Sequence, residues 1–159
     1  MNVDRILSAL NSAGVDYILI GGVNFLLRHG GPMTYDVDIW VLDKDENLSQ
    51  LVAALKQLGA EWGASDATWA PIREDTKWLK SQYVFCLLTR EGGLDIFREV
   101  RGLEGSYAEC KKRARPAETG SGIPYLGLSD DDMLQTQLAL ETSDQKPERI
   151  AVLKKAAAS

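Results

Sequence analysis

The chain has 159 residues, 45% of them hydrophobic and 26% charged, with 18 basic against 23 acidic residues and a net charge of −5. That length favours one domain over residues 1–159 with a real core, and the composition excludes a disordered or fibrous chain. The acidic balance excludes a general nucleic-acid binder; a cationic acceptor or a protein partner suits the global field better.

The first helix is predicted from Val3, Ile6, Leu7 and Leu10, which recur at helical spacing before Gly14. No apolar run in the N-terminal stretch resembles a signal peptide, and none anywhere approaches the roughly 20 residues of a membrane span. A short buried strand follows over 16–20, ended by Gly21-Gly22. A helix is expected over 23–28, stopped by Gly30-Gly31-Pro32, and a second strand over 35–42. Asp43, with Glu46 three residues on, reads as the N-cap of a helix carrying Leu48, Leu51, Val52 and Leu55 up to Gly59.

Residues 61–82 are less regular and hold Trp62, Trp69 and Trp78. A strand over 83–88, a turn over 90–93 and a partner strand over 94–97 read as a hairpin. Helical character is expected over 107–115, an extended segment over 122–126, a helix capped by Ser129, and a last helix from Pro147. The order implies an α+β or α/β fold: a small mixed sheet flanked by helices, with a core over 16–98 and a C-terminal helical part over 103–157. Of the two cysteines, Cys86 lies in an apolar run and is expected in the core. A disulfide framework is not expected, which suggests a reducing, cytoplasmic setting.

The chemistry centres on Asp36 and Asp38. Residues two apart on a strand share a face, so both carboxylates point the same way, with Cα atoms roughly 7 Å apart. Val37 and Ile39 then face the core. Neighbouring carboxylates repel and resist burial, and a hard divalent cation removes both problems. Asp95, between Leu94 and Ile96 on another predicted strand, is a third acid that can converge on the pair. Such a set could hold two metals in an in-line displacement. Gly21-Gly22 follows a strand and opens a helix. Glycine permits close backbone approach, and the helix N-terminus offers free N–H groups to phosphate.

Together, Ile20-Gly21-Gly22, Thr34-Tyr35-Asp36-Val37-Asp38-Ile39 and Asp95 resemble the nucleotidyltransferase superfamily of the DNA polymerase β type. The form is similar to minimal bacterial members, among them toxins of AbiE-like toxin–antitoxin pairs and small antibiotic nucleotidyltransferases. The resemblance implies Mg²⁺-dependent transfer of a nucleoside monophosphate from an NTP to an acceptor hydroxyl. Asp36, Asp38 and Asp95 would hold two Mg²⁺ ions, and Asp95 would also act as general base. Gly21, Gly22, Thr34 and Lys146 would bind the nucleotide. Many relatives carry a triphosphate-holding lysine where this chain has Gln137. Lys146 or Arg149 are the cations that could replace it.

Other residues have plainer readings. His29 is expected in a surface or packing role, since metal–aspartate chemistry needs no histidine. Lys111-Lys112-Arg113-Ala114-Arg115 reads as a solvated helix face or a grip for a phosphate tail or RNA end. The three acids at 130–132 complement a helix dipole. The tryptophans of 61–82 could stack on an acceptor, although core packing of at least one is expected.

The acceptor could be a small hydroxylated molecule, an RNA end or a protein side chain. The rival reading is a catalytically weak binding protein on the same fold, such as a toxin–antitoxin component with an antitoxin partner. A metal-dependent phosphohydrolase fits less well, because it usually brings histidines to its metals and this chain has one.

Overall fold

A computed structural model describes residues 1–158. Six α-helices and eight strands follow in the order α1 (Val3–Ser12), β1 (Tyr17–Ile20), α2 (Gly21–His29), β2 (Asp36–Val41), α3 (Asp45–Gln57), β3 (Glu61–Trp62), β4 (Ala70–Pro71), β5 (Val84–Thr89), β6 (Gly92–Phe97), α4 (Tyr107–Arg113), β7 (Arg115–Glu118), β8 (Pro124–Gly127), α5 (Asp130–Leu138) and α6 (Pro147–Ala157). The strands form one sheet in the order β4-β3-β5-β6-β2-β1-β8-β7. The β2–β6 and β1–β8 pairs are parallel and the others antiparallel. Both edge strands carry a proline, Pro71 in β4 and Pro116 in β7. No helix among the described residues is long and apolar enough to cross a membrane.

Alternation along the strands divides the core in two. Leu19, Val37, Ile39, Phe85, Leu87, Leu94 and Ile96 face one side, where Ile6, Leu7 and Leu10 of α1 and Leu48, Leu51 and Leu55 of α3 cover them. Each such side chain contributes roughly 1.5–3 kcal/mol by leaving water. On the opposite side, Ile18, Ile20 and Trp40 pack against Phe25 of α2, Cys110 of α4, Met133 of α5 and Leu153 of α6. These helices cover the β1–β2 end of that side. They do not bury Cys86 and Leu88 of β5, which stay exposed.

Four expectations change. Cys86 is exposed and Cys110 is the buried thiol. β5 alternates, so Phe85 and Leu87 take the core and Cys86 faces out. Asp43 does not cap α3; Lys44 holds that position without a side-chain bond, and Asp43 pairs with Arg98 at 2.9 Å. The C-terminal part is not wholly helical, because β7 and β8 form a hairpin that extends the sheet. Gly92 and Gly93 belong to β6 rather than to the turn before it.

The C-terminal part is fastened by polar ties. Asn24 is fully buried and its amide donates to the Leu128 carbonyl at 3.0 Å. Asp130 takes Arg28 at 2.9 Å and His29 at 2.8 Å. Inside that part, Asp132 of α5 accepts from Arg113 of α4, at 3.0 and 3.1 Å. Ser129 caps α5 by accepting from the Asp132 N–H.

Candidate active site

Strand pairing assembles the acids. In the parallel β2–β6 ladder Asp38 stands opposite Asp95 and Asp36 opposite Gly93. Directly opposed residues share a face, so all three carboxylates lie on the side that β5 and β6 leave uncovered. Their neighbours make room for them. A methyl group at Gly93 would collide with the Asp36 carboxylate, and one at Gly21 would collide with that of Asp38. Gly21 also sits at φ +68°, which favours glycine. The diglycine bend therefore lies against the Asp38 carboxylate.

The electrostatics are strained in one direction. Burial, then the charge and hydrogen bond of Asp95, then the charge of Asp36 push Asp38 up to about 8, while Arg149 opposes them. Asp95 is also raised, first by burial and then by Asp36; hydrogen bonds from Asp38 and the Cys86 thiol moderate it. Asp38 and Asp95 thus both hold a proton more tightly than an ordinary carboxylate. Among the described residues no group of three or more His, Cys, Asp or Glu side chains is drawn into a ready-made metal-binding set. The donor chemistry nonetheless fits a hard cation: three carboxylates from adjacent strands, with hydrogens alone at Gly21 and Gly93 beside their oxygens.

Beside the acids, α2 begins at Gly21 with no side-chain cap, leaving its first N–H groups free for an anion. A cavity of about 670 Å³ opens along α2, lined in part by Gly22, Thr34, Tyr35, Lys146 and Arg149. Thr34 and Arg149 both crowd Gly22: Thr34 Oγ1 and Arg149 Nη2 would each lie 3.0 Å from a Cβ placed there. The Arg149 guanidinium also stands 5.5 Å over the Phe25 ring. Gln137 lines a small cavity with Gly21 and Arg149. Its Oε1 accepts the backbone N–H of Lys146 at 2.9 Å, at the start of α6. Of the two cations the sequence offers in place of the missing lysine, Arg149 is the one at the diglycine bend; Lys146 lines the cavity.

Three of the four cations in the basic cluster have acidic partners within the chain. Lys111 pairs with Asp16 at 2.8 Å and Arg113 with Asp132, while Arg115 stands 3.9 Å from Asp130. His29 packs on Phe25 and bonds Asp130. Trp62 and Trp78 stack on each other and against Phe85 in the covered core. Trp69 is 41% exposed and donates its indole N–H to Glu61 at 2.9 Å.

Compared by sequence, the chain matches no family model and no curated protein. Compared by structure, it is similar to ANT(2″)-Ia in complex with adenylyl-2″-tobramycin, with a TM-score of 0.59 and 16% identity over 98% of this chain and 87% of that one. It is also similar to the lincomycin-bound lincosamide antibiotic adenylyltransferase LnuA, with a TM-score of 0.60 and 17% identity over 94% of this chain and 92% of that one. The chain has the nucleotidyltransferase fold. Within that fold, Asp36, Asp38 and Asp95 share one sheet face and Gly21-Gly22 starts the helix beside them. The sequence names Arg149 without placing it; the packing of α6 against α2 puts its guanidinium at the diglycine bend.

Proposed function

We propose that this chain is a metal-dependent nucleotidyltransferase that moves a nucleoside monophosphate from an NTP to an acceptor hydroxyl. The observation that carries the reading is the alignment of Asp36 and Asp38 beside Asp95, against the uncapped start of α2. Gly21 and Gly22 present backbone N–H groups to the triphosphate. Arg149, Lys146 and Thr34 flank its path along the α2 cavity. Asp36, Asp38 and Asp95 would hold Mg²⁺, two ions in the full assembly, which would neutralise charge on the transferring phosphoryl group. Asp95 takes the proton of the acceptor hydroxyl; its raised affinity for protons suits a general base. The acceptor oxygen then bonds to the α-phosphorus, the bond to the bridging oxygen breaks, and pyrophosphate leaves.

The reading is tested with purified protein, Mg²⁺ and each of four α-labelled NTPs. Label is expected to bind, and to pass to an acceptor fraction from small-molecule, RNA or protein extracts. Asp36→Ala, Asp38→Ala and Asp95→Ala are each expected to abolish transfer, with circular dichroism unchanged. Failure of all four NTPs to bind would refute the proposal and favour the binding-protein reading, with an antitoxin as one class of partner.

A further inference from the structure

The α2 cavity is larger than a triphosphate tail requires. Its volume of about 670 Å³ falls in the range of roughly 300–1,000 Å³ usual for small-molecule sites. Gly22, Thr34 and Arg149 meet where it approaches the acids. Its walls also include Leu26, Met33, Tyr35 and Val152, with Glu148 and Lys146 from the start of α6. The loop over 30–35 forms one wall. Gly30 and Gly31 sit at φ +77° and +127° and Pro32 follows them; a Cβ at either glycine would meet open space, so the backbone turn and not crowding selects glycine there. The turn leaves Met33 75% and Tyr35 86% exposed. Single exposed apolar residues are ordinary, but these two border a cavity. Among the described residues, no ion pair engages Lys146, Glu148 or Arg149.

Charge decides which part of a donor lies in this cavity. During transfer the α-phosphorus must sit at Asp36, Asp38 and Asp95, and the leaving phosphates must lie against cations. On the β5 side of Asp95 the strand pairing presents Cys86, Leu88 and Glu61, none of them cationic. Arg149 and Lys146 stand on the Gly22 side. The leaving phosphates therefore run from the acids into the α2 cavity. Pyrophosphate is small and wholly anionic. It gains nothing from Leu26, Met33, Tyr35 and Val152, and Glu148 repels it. A phosphate chain capped by a nucleoside matches every wall. The phosphates meet Arg149 and Lys146, and the base stacks on the Tyr35 ring and the Met33 thioether. The ribose diol donates to the Glu148 carboxylate, the use that dinucleotide sites make of an acid.

We infer that the chain takes a dinucleoside polyphosphate as a second class of nucleotidyl donor, and that the α2 cavity holds the nucleoside that leaves. The inference rests on the nucleotidyltransferase reading and deepens it by naming a donor. With diadenosine tetraphosphate the acceptor oxygen bonds to the phosphorus next to the transferred adenosine. The bond from that phosphorus to its bridging oxygen breaks, and ATP leaves with the electron pair. Asp95 takes the acceptor proton. Glu148 and Met33 are the specificity-determining residues that tell such a donor from an NTP.

The test uses the full chain with Mg²⁺ and compares diadenosine tetraphosphate with ATP by calorimetry. The two carry the same net charge at neutral pH, so a difference reports the second nucleoside. The dinucleotide is expected to bind about tenfold tighter than ATP. Glu148→Gln and Met33→Ser should each remove most of that gain. Neither should weaken Mg-ATP binding, and Glu148→Gln should tighten it, because an acid beside the phosphates is gone. With the dinucleotide as donor, mass spectrometry should find ATP released, and no pyrophosphate, as label enters the acceptor fraction. The inference is overturned if the dinucleotide binds no tighter than ATP, if both variants keep the full gain, or if they weaken the two nucleotides alike. In each of those cases bound Mg-ATP that still transfers label leaves the NTP reading standing. If neither nucleotide binds, or if both bind and no label is ever transferred, the donor inference and the transfer reading fall together.

Discussion

At the scale of single residues, Asp38 carries the largest electrostatic cost in the site. Its folded-state proton affinity, raised to about 8, lies far above that of an aspartate in the unfolded chain. Folding therefore takes up a proton between about pH 4 and pH 8, and stability falls as pH rises through that window. Asp38→Asn removes the penalty. Thermal denaturation should show the variant matching the parent near pH 4 and melting several degrees higher at pH 8.5, since 1 kcal/mol is about 2–4 °C for a domain of this size. Mg²⁺ should narrow the gap by stabilising the parent alone, and chelation should restore it. Gly93→Ala should leave a folded chain in which the Asp36 carboxylate is displaced; its Tm is then expected to lose most of the rise that Mg²⁺ gives the parent. Asp36, Asp38 and Asp95 are legible in sequence because period-two alternation fixes which side each faces. Cys86 is misread because an apolar run does not reveal that its side of β5 lacks a covering helix.

At the scale of elements, α6 sets the cationic side of the site. Its N-cap residue, Lys146, is tied to α5 by the Gln137 bond, and its first turn brings Arg149 against Gly22. Arg149→Ala should weaken Mg-ATP binding roughly 10- to 100-fold, the value of a charge-assisted contact. Gln137→Ala should cost on the order of 1 kcal/mol in urea unfolding while changing nucleotide affinity much less. If Gln137→Ala weakens nucleotide binding as much as Arg149→Ala, the assignment of the cation is wrong. The exchange at 137 is visible in sequence, but its consequence is not, since it depends on which turn of α6 meets the diglycine. β7 escapes sequence reading for a related reason. Arg115-Pro116-Ala117-Glu118 has no apolar alternation, and pairing with β8 is what makes it a strand. The segment over 61–82 shows the same limit: nothing in the spacing of Trp62, Trp69 and Trp78 distinguishes the two rings packed on the core from the exposed one.

At the scale of the whole molecule, the C-terminal part completes the sheet. β8 meets β1 through a short parallel register, Leu19 opposite Gly127, so side-chain ties carry much of the attachment. Within the C-terminal part, Asp132 joins α5 to α4 through Arg113, with a side chain 9% exposed against 50% for Arg113. Asp132→Ala should cost about 1–3 kcal/mol, read as a lower urea midpoint at constant slope. Because α5 and α6 move with that joint, nucleotide affinity should fall with it.

The prolines at the two rims of the sheet have a bearing on self-association. Pro71 and Pro116 have no amide hydrogen to offer, so a second molecule cannot readily extend the ladder at either rim. Copies of this chain are thereby discouraged from zipping together end to end. The open face beside Asp95, where Cys86 and Leu88 are exposed, lies away from both rims and is untouched by that restriction.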